Sequence, residues 1–320
     1  MTSRRPGVGF ALVGLGALLF IVNAGVSRVV LRTTVDPAEL TVLRITGTAL
    51  VLLLAALGFR RSSLRPPSGR LGALLVVHGL VGVAALQWTY FVAIDRLPVG
   101  LALLLEFQAP LLVVLWVRFV QQEAVRRRVW LGLGLALVGL AMATGIVEGQ
   151  LAFDRIGLLA GLAAAVCFAT YFLVGEHGVA QLEPLRVVLW SFGIAAVAMN
   201  VASPVWRFPT EVLGEQTSML GRFEGHLVPV AVLLLWVVVM GTLMPFGVEI
   251  LALSHLSAAT VTMVAMLEPV GVSVLGWVWF GEALGPVAVV GGIFVVVGIV
   301  AAQTGRAPHP LPEPPHLAGP

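Results

Sequence analysis

Charged residues are scarce in this 320-residue chain, and lysine is absent altogether. Asp, Glu, Lys and Arg make up only 11% of the sequence, all 19 positively charged side chains are arginines, and 59% of the residues are hydrophobic. The mean hydropathy is +1.01. This composition excludes a water-exposed surface over most of the chain and indicates a polytopic membrane protein.

Residues that carry redox or metal chemistry are also few. The single cysteine, Cys167, excludes a disulfide framework and a multi-cysteine metal site, and the six histidines lack zinc-ligand spacing. The arginines flank apolar runs instead of forming one basic face, which argues against nucleic acid as a partner. We therefore expect no catalytic residue, no metal and no cofactor.

Ten apolar runs are each long enough to cross a bilayer as a helix, because a hydrocarbon core of roughly 30 Å needs about 20 such residues. The runs cover residues 8–28, 39–58, 71–93, 97–119, 129–147, 156–174, 185–202, 228–253, 257–280 and 285–302. The predicted fold class is all-α, a polytopic membrane protein with ten transmembrane helices. The proline-rich segment that follows, 304–320, is predicted to be a disordered cytoplasmic tail.

The ten runs form one five-helix unit that occurs twice. A constant shift of 159 residues places Pro110 on Pro269 and Gly132 on Gly291, and a weaker match at a shift of 147 relates the first two spans of each copy. We predict two repeats, residues 1–148 and 149–303. Because five is odd, the second copy should cross the membrane in the opposite direction, an arrangement typical of secondary transporters.

The distribution of arginine predicts the orientation. Short cytoplasmic loops retain positive charge, and twelve of the 19 arginines lie on the side of the N-terminus when the ten spans are threaded in order. Both termini are therefore predicted to be cytoplasmic.

Four ionisable side chains lie well inside the predicted spans, namely Arg44, Glu106, Glu249 and Glu268. A charge at such a depth costs at least about 2.5 kcal/mol, so each needs a reason. None recurs in the other copy, where the equivalent residues are Ser191, Ala265, Tyr90 and Ala109 in the same order. The scaffold can thus be built without these charges, and we interpret them as a site for substrate and protons. The competing interpretation is a structural ion pair between Arg44 and a glutamate.

Burial favours the neutral form of a carboxyl group, so at least one of these glutamates should bind a proton readily. An amino-bearing or cationic substrate would compete with that proton for the same carboxylate, while Arg44 could receive a substrate carboxylate. Such competition leads to antiport. The sequence does not distinguish which glutamate carries the proton.

Further residues within the spans are weaker candidates for lining the substrate path. Proline removes a helix hydrogen bond and leaves a carbonyl group able to face a cavity, although it can also simply bend the helix. A polar or aromatic side chain can likewise line a cavity or make an interhelical contact. These candidates are Pro110, Pro269, Asn23, Gln87, Tyr90 and Tyr171.

Several motifs resemble those of one family. The segment Leu105–Pro110, the run Pro245-Phe246-x-x-Glu249, and the pairs Glu268-Pro269 and Gly281-Glu282 are similar to the threonine/homoserine exporter type of EamA-domain proteins, within the drug/metabolite transporter superfamily. The resemblance implies a multi-pass protein of the bacterial inner (plasma) membrane that exports amino acids or related metabolites by proton antiport. It also implies a central cavity between the halves.

Two other functions stay open at this point. Efflux of hydrophobic cations would need a buried glutamate but no arginine. An intramembrane enzyme would need a nucleophile with an adjacent base, or a metal site, and the chain shows neither. The expected partners are a small-molecule substrate, protons and the lipid bilayer, and the oligomeric state is not predicted.

Overall fold

The fold is a bundle of long apolar helices, seen in a computed structural model that describes residues 5–97, 99–143, 154–283 and 285–304. The helices are α1 (Pro6–Val30), α2 (Pro37–Phe59), α3 (Gly69–Arg96), α4 (Leu101–Phe119), α5 (Arg127–Ala143), α6 (Arg155–Val179), α7 (Pro184–Ala202), α8 (Val230–Ala252), α9 (Ala258–Phe280) and α10 (Pro286–Thr304).

In the described part of the chain, nine of these helices are long and apolar enough to cross a membrane. The remaining one, α5, has 17 residues and ends where the described segment ends. Apolar side chains cover the outside of the bundle; Phe119 and Leu159, for example, are each 69% exposed. An outward surface of this kind matches lipid and not water. The all-α architecture predicted from the sequence is confirmed.

Two of the predicted boundaries lie largely outside the described residues. The expected division between repeats at 148/149 falls in the segment 144–153. The last helix includes Thr304, which the sequence assigned to the tail, and the rest of the expected tail lies outside the described residues.

The two copies share local structure at the 159-residue shift. α4 is interrupted after Glu106 and resumes at Ala109, and the first segment of α9 ends at Ala265, which is the equivalent of Glu106. Just beyond these helices, Gln122 and Gly281 are also equivalent, and both have a left-handed backbone, with φ of 58° and 72°. The sequence match therefore extends to backbone geometry.

π-Helical segments also occur at equivalent places. One spans His78–Ala85 within α3 and another spans Val239–Leu243 within α8, which corresponds to 80–84 after the shift. Each segment contains one of the equivalent glycines Gly82 and Gly241, which approach Tyr171 and Asn23 so closely that a Cβ atom would collide. A π-helical turn widens the helix locally and leaves carbonyl groups without their usual partners.

The equivalent helices α5 and α10 pack directly against each other. Gly132 approaches the backbone of Gly298, and Gly139 approaches that of Gly291, so the residue numbers run in opposite directions along the contact. The two helices are thus antiparallel, and the four glycines allow their backbones to touch.

The connection between α7 and α8 is longer than its counterpart in the first copy and has structure of its own. It contains short 3₁₀ turns at Val205–Arg207, Thr210–Gly214 and Gly221–Phe223, and a hairpin of β1 (Gln216–Ser218) and β2 (Leu227–Pro229). The Trp279 side chain of α9 donates a 2.9 Å hydrogen bond from Nε1 to the Met219 carbonyl, which attaches this connection to the bundle. On the opposite side of the bundle, a further 3₁₀ turn at Arg61–Leu64 follows α2.

Candidate functional site

Glu106 and Glu268 lie at the two equivalent breaks in the bundle. Glu106 is the last residue of the first segment of α4, and Glu268 lies next to Pro269 at the start of the second segment of α9. Pro110 and Pro269 have no N–H group, so the carbonyls of Glu106 and Ala265 lack their α-helical hydrogen bonds. Both glutamates are half-buried, and both prolines are buried. The breaks therefore bring polar backbone and carboxyl groups into the apolar bundle together.

Glu249 is the most deeply buried charged residue of the site. It lies in α8 shortly after the π-helical segment, has 0% exposed surface, and packs beside Gly16 of α1. Neither of its carboxylate oxygens has a hydrogen-bond partner among the described residues, and the same is true of Glu268 Oε1. A buried polar atom without a partner is costly, and such atoms concentrate where a ligand or water completes the site.

Arg44 donates hydrogen bonds to the π-helical segment of α8 instead of pairing with a glutamate. Its Nε donates a 2.9 Å hydrogen bond to Thr242 Oγ1, and its Nη2 lies 3.5 Å from the Gly241 carbonyl oxygen. The ion pairs within 4.0 Å among the described residues do not include Arg44. The structural ion pair considered from the sequence is thus not formed.

The four charged residues nevertheless form one connected electrostatic group. Arg44 lies within electrostatic interaction range of Glu106 and of the Tyr90 hydroxyl. Glu268 lies within the same range of both Glu106 and Glu249. Three carboxyl groups and one guanidinium thus share an interior region to which α2, α4, α8 and α9 contribute. Glu249 has no solvent-exposed surface in this structure, so a ligand can reach it only after the surrounding helices move.

The weaker candidates fall into two groups. Asn23 and Gln87 are buried at 5% and 6% exposure, and Asn23 Oδ1 and both side-chain polar atoms of Gln87 lack hydrogen-bond partners among the described residues. Tyr90 faces Arg44 and Glu106. Tyr171, in contrast, is tied into the packing, because its hydroxyl donates to the Phe246 carbonyl at 3.1 Å and its ring stacks on His78.

An aromatic cluster adjoins Glu249. The rings of Phe20, Tyr171 and Phe192 surround Phe246 edge-on, with centroids 5.1, 5.4 and 5.5 Å from it. Phe246 lies one turn before Glu249 in α8. Tyr171 of this cluster also lies within electrostatic interaction range of Glu249, so the carboxyl group has an aromatic neighbour.

The sequence reasoning missed Gly241 and Thr242, which contact Arg44. A signal was present, because at the 159-residue shift Thr242 pairs with Val83. A hydroxyl that replaces an apolar side chain in only one copy meets the same criterion that identified the charged residues.

A cavity of about 380 Å³ lies apart from the charged cluster, at the C-terminal ends of α1 and α9. Arg28, Arg32, Phe280 and Glu282 contribute to its walls. Arg28 forms an ion pair with Glu282, and its guanidinium lies over the Phe280 ring at 4.2 Å. These side chains are half-exposed, so this cavity is a surface feature.

A bundle of membrane-spanning helices in two related copies, with unpaired carboxyl groups between them, is the architecture of a membrane transporter. The chain matches the EamA-like transporter family over residues 7–145 and again over 155–303. It belongs to this family and is an integral membrane transporter with a small-molecule substrate, not an enzyme. Both copies of the repeat are covered by the match.

Individual relatives are similar at lower identity. The threonine/homoserine exporter RhtA of Salmonella typhimurium (strain SL1344) is 26% identical over 238 residues, covering 72% of this chain and 70% of that protein. RhtA of Escherichia coli (strain K12) is 25% identical over 237 residues, with the same coverage. An uncharacterized transporter of Archaeoglobus fulgidus is 26% identical over 239 residues, covering 74% of this chain and 77% of that protein.

One solved crystal structure has the same fold. It superposes with a TM-score of 0.73 over 92% of this chain and 96% of its own, at 20% sequence identity. The overall helix arrangement is thus shared with a known protein.

Proposed function

We propose that this protein is a proton-coupled exporter of small amino acids of the threonine and homoserine type, or of related metabolites. The observation that carries the proposal is the set of buried carboxylate oxygens of Glu249 and Glu268 that have no hydrogen-bond partner among the described residues. Groups of this kind need a proton, a cation or a hydrogen-bond donor to complete them.

The arrangement of charges fits an amino acid. Glu106, Glu249 and Glu268 bind either protons or the substrate ammonium group, and Arg44 binds the substrate carboxylate. Protons and ammonium compete for the same carboxylates, which couples export of one to entry of the other. The carbonyls freed by Pro110 and Pro269 are further acceptors for the ammonium group. Asn23, Gln87 and Tyr90 complete the polar lining.

The direction and location of transport also belong to this proposal. The names of the RhtA relatives support export, and a bacterial inner membrane is the corresponding location. The excess of arginine on one side supports a cytoplasmic location for both termini. The antiparallel contact of α5 with α10 supports inverted repeats, which would expose the charged cluster to each side of the membrane in turn.

The alternative function is efflux of hydrophobic cations. The aromatic rings of Phe20, Tyr171, Phe192 and Phe246 beside Glu249 favour it, because ring faces and a carboxylate together attract organic cations. This alternative gives no role to Arg44 as a substrate ligand. Arg44 therefore distinguishes the two functions.

The test is transport by purified protein reconstituted into liposomes with an imposed pH gradient. Labelled threonine, labelled homoserine and a fluorescent quaternary ammonium dye are compared. We expect transport of at least one amino acid that depends on the gradient. Transport of the dye alone would reject the proposal in favour of the alternative.

The proposed carboxyl groups are tested by Glu106→Gln and Glu268→Gln, which keep side-chain size and remove the charge. Each should lower gradient-driven transport by about tenfold or more, at an unchanged amount of protein in the membrane. Glu123→Gln is the matched control, because Glu123 is an exposed glutamate just beyond the end of α4. Unchanged transport by both interior variants would contradict the assigned roles.

A further inference from the structure

The hydroxyl group of Thr242 joins Arg44 to the π-helical segment Val239–Leu243. Thr242 Oγ1 lies 2.8 Å from the Val237 carbonyl oxygen, five residues earlier, and 2.9 Å from Arg44 Nε. A carbonyl oxygen can only accept, so the single hydroxyl proton points to Val237 and an oxygen lone pair receives the Arg44 N–H. Both partners of the hydroxyl are thereby fixed.

This contact orients the guanidinium plane of Arg44. Nε and Nη2 face Thr242 and Gly241, whereas Nη1 forms no hydrogen bond with another residue in the described ranges. Each Nη atom has two N–H groups, so Nη1 and the second N–H of Nη2 leave the end of the guanidinium available to a ligand. A carboxylate binds such an end through two parallel hydrogen bonds, and this geometry is sensitive to the direction of the plane.

Comparison of the two copies shows that the fold does not require a threonine at the position of Thr242. The π-helical segment of α3 has the equivalent glycine, Gly82, but Val83 takes the place of Thr242 and Ser191 takes the place of Arg44. The same backbone geometry is thus formed without a threonine or an arginine. Thr242 of the second copy contacts Arg44 of the first copy, and the equivalent pair, Ser191 and Val83, has neither the threonine nor the arginine.

We infer that Thr242 is a positioning residue that directs Arg44 toward the substrate carboxylate and thereby makes the transporter selective for substrates that have a carboxylate. The inference rests on the proposed function, in which Arg44 is the carboxylate ligand. At the equivalent position, Ser191 of the second copy is instead bonded to His78, and the equivalent of Thr242 is the apolar Val83, so the arrangement is not duplicated there.

The test uses the full-length protein in liposomes and the variants Thr242→Val, Thr242→Ser and Arg44→Gln. Valine keeps the shape of threonine and removes the hydroxyl, whereas serine keeps the hydroxyl. Thr48→Val is the matched control, because the buried Thr48 hydroxyl donates at 3.3 Å to the Val238 carbonyl in the same stretch of α8, whereas the hydrogen bonds of Arg44 in the described residues go to Thr242 and Gly241. KM and kcat for labelled threonine are measured for each variant.

The selectivity is measured with 1-aminopropan-2-ol, which is threonine without its carboxylate. Its potency as a competitor of labelled threonine is compared with that of unlabelled threonine. In the wild type, we expect the amine to be at least about tenfold weaker than threonine, because a hydrogen-bonded charge pair is lost. The ratio of the two potencies reports carboxylate recognition independently of the amount of active protein.

Thr242→Val should raise the KM for threonine about tenfold with kcat within about twofold, and should bring the two competitors closer in potency. Thr242→Ser and Thr48→Val should stay within about twofold of the wild type in KM. If the valine variant does not accumulate in the membrane, Thr242→Ala removes the same hydroxyl.

Three results would overturn the inference and are distinguishable. A raised KM with an unchanged potency ratio would make Thr242 merely structural. A change caused by Arg44→Gln but not by Thr242→Val would remove Thr242 and leave the proposed function intact. No threonine transport by the wild type, or no effect of Arg44→Gln on it, would remove the proposed carboxylate site and the inference with it.

Discussion

Replacing Gly139 with alanine should force α5 and α10 apart. A Cβ atom at this position would lie 2.5 Å from the Gly291 carbonyl oxygen and 2.7 Å from both Phe294 Cβ and Val295 N. Optimal contacts between non-bonded carbon atoms are about 3.5–4.0 Å, and two of these three neighbours are backbone atoms that cannot rotate away. The helices would have to separate by about 1 Å over the whole contact.

The magnitude follows from two opposing effects. Overpacking a close contact costs about 1–3 kcal/mol, whereas alanine improves on glycine in a helix by up to about 1 kcal/mol. Gly134 lies on the same helix, is exposed, and has nothing within 4 Å of a built Cβ atom. Gly134→Ala thus measures the helix effect alone, and its difference from Gly139→Ala isolates the contact, at about 1–3 kcal/mol.

Thermal unfolding of the purified protein in detergent is the assay. Each kcal/mol corresponds to about 2–4 °C for a protein somewhat smaller than this one, so Gly139→Ala should unfold several degrees below Gly134→Ala. Equal unfolding temperatures for the two variants would refute the close backbone contact between α5 and α10.

Two further changes test the hydrogen bonds and the ion pairs by the same measurement. The Ser191 hydroxyl lies 2.6 Å from His78 Nδ1, and the other ring nitrogen of His78 donates to the Tyr171 carbonyl, so Nδ1 of the neutral ring is the acceptor. Ser191→Ala should destabilise the protein by about 1–3 kcal/mol, and an unchanged unfolding temperature would contradict this orientation. Arg28→Ala, in contrast, removes an ion pair to Glu282 that is about half-exposed and should cost less than about 1 kcal/mol. A larger loss of stability would mean that the ion pair between Arg28 and Glu282 stabilises the helix bundle as a whole.

Much of the fold could be predicted from composition and from the internal repeat. Apolar runs define the spans, and Pro110 and Pro269 indicate where α4 and α9 lose helix hydrogen bonds, because proline has no N–H group to donate. The repeat also explains why charged residues in the interior stand out. Arg44, Glu106, Glu249 and Glu268 differ from their counterparts in the other copy, and the structure brings all four into one electrostatic group.

The π-helical segments and the contacts of Arg44 could not be predicted in this way. Most residues of α3 and α8 are apolar, so an extra residue in a turn leaves no visible change in a periodic pattern. The direction of a long side chain depends on the gap that its neighbours leave. The difference between Thr242 and Val83 marks the threonine in the sequence, but only the structure shows that Thr242 and Gly241 accept hydrogen bonds from Arg44.

The π-helical segment of α8 determines how a change in helix length affects the direction in which the Glu249 side chain points. A regular helix turns by about 100° per residue, so a residue added to it would rotate everything beyond it by about that angle, whereas a π-helical turn absorbs the extra residue locally. Glu249 lies beyond the segment, as its counterpart Tyr90 lies beyond the segment of α3. Deleting a single apolar residue from Val239–Leu243 should thus leave the acid facing the same way, whereas the same deletion from the regular helix before the segment would turn it by about 100° without touching a charged position.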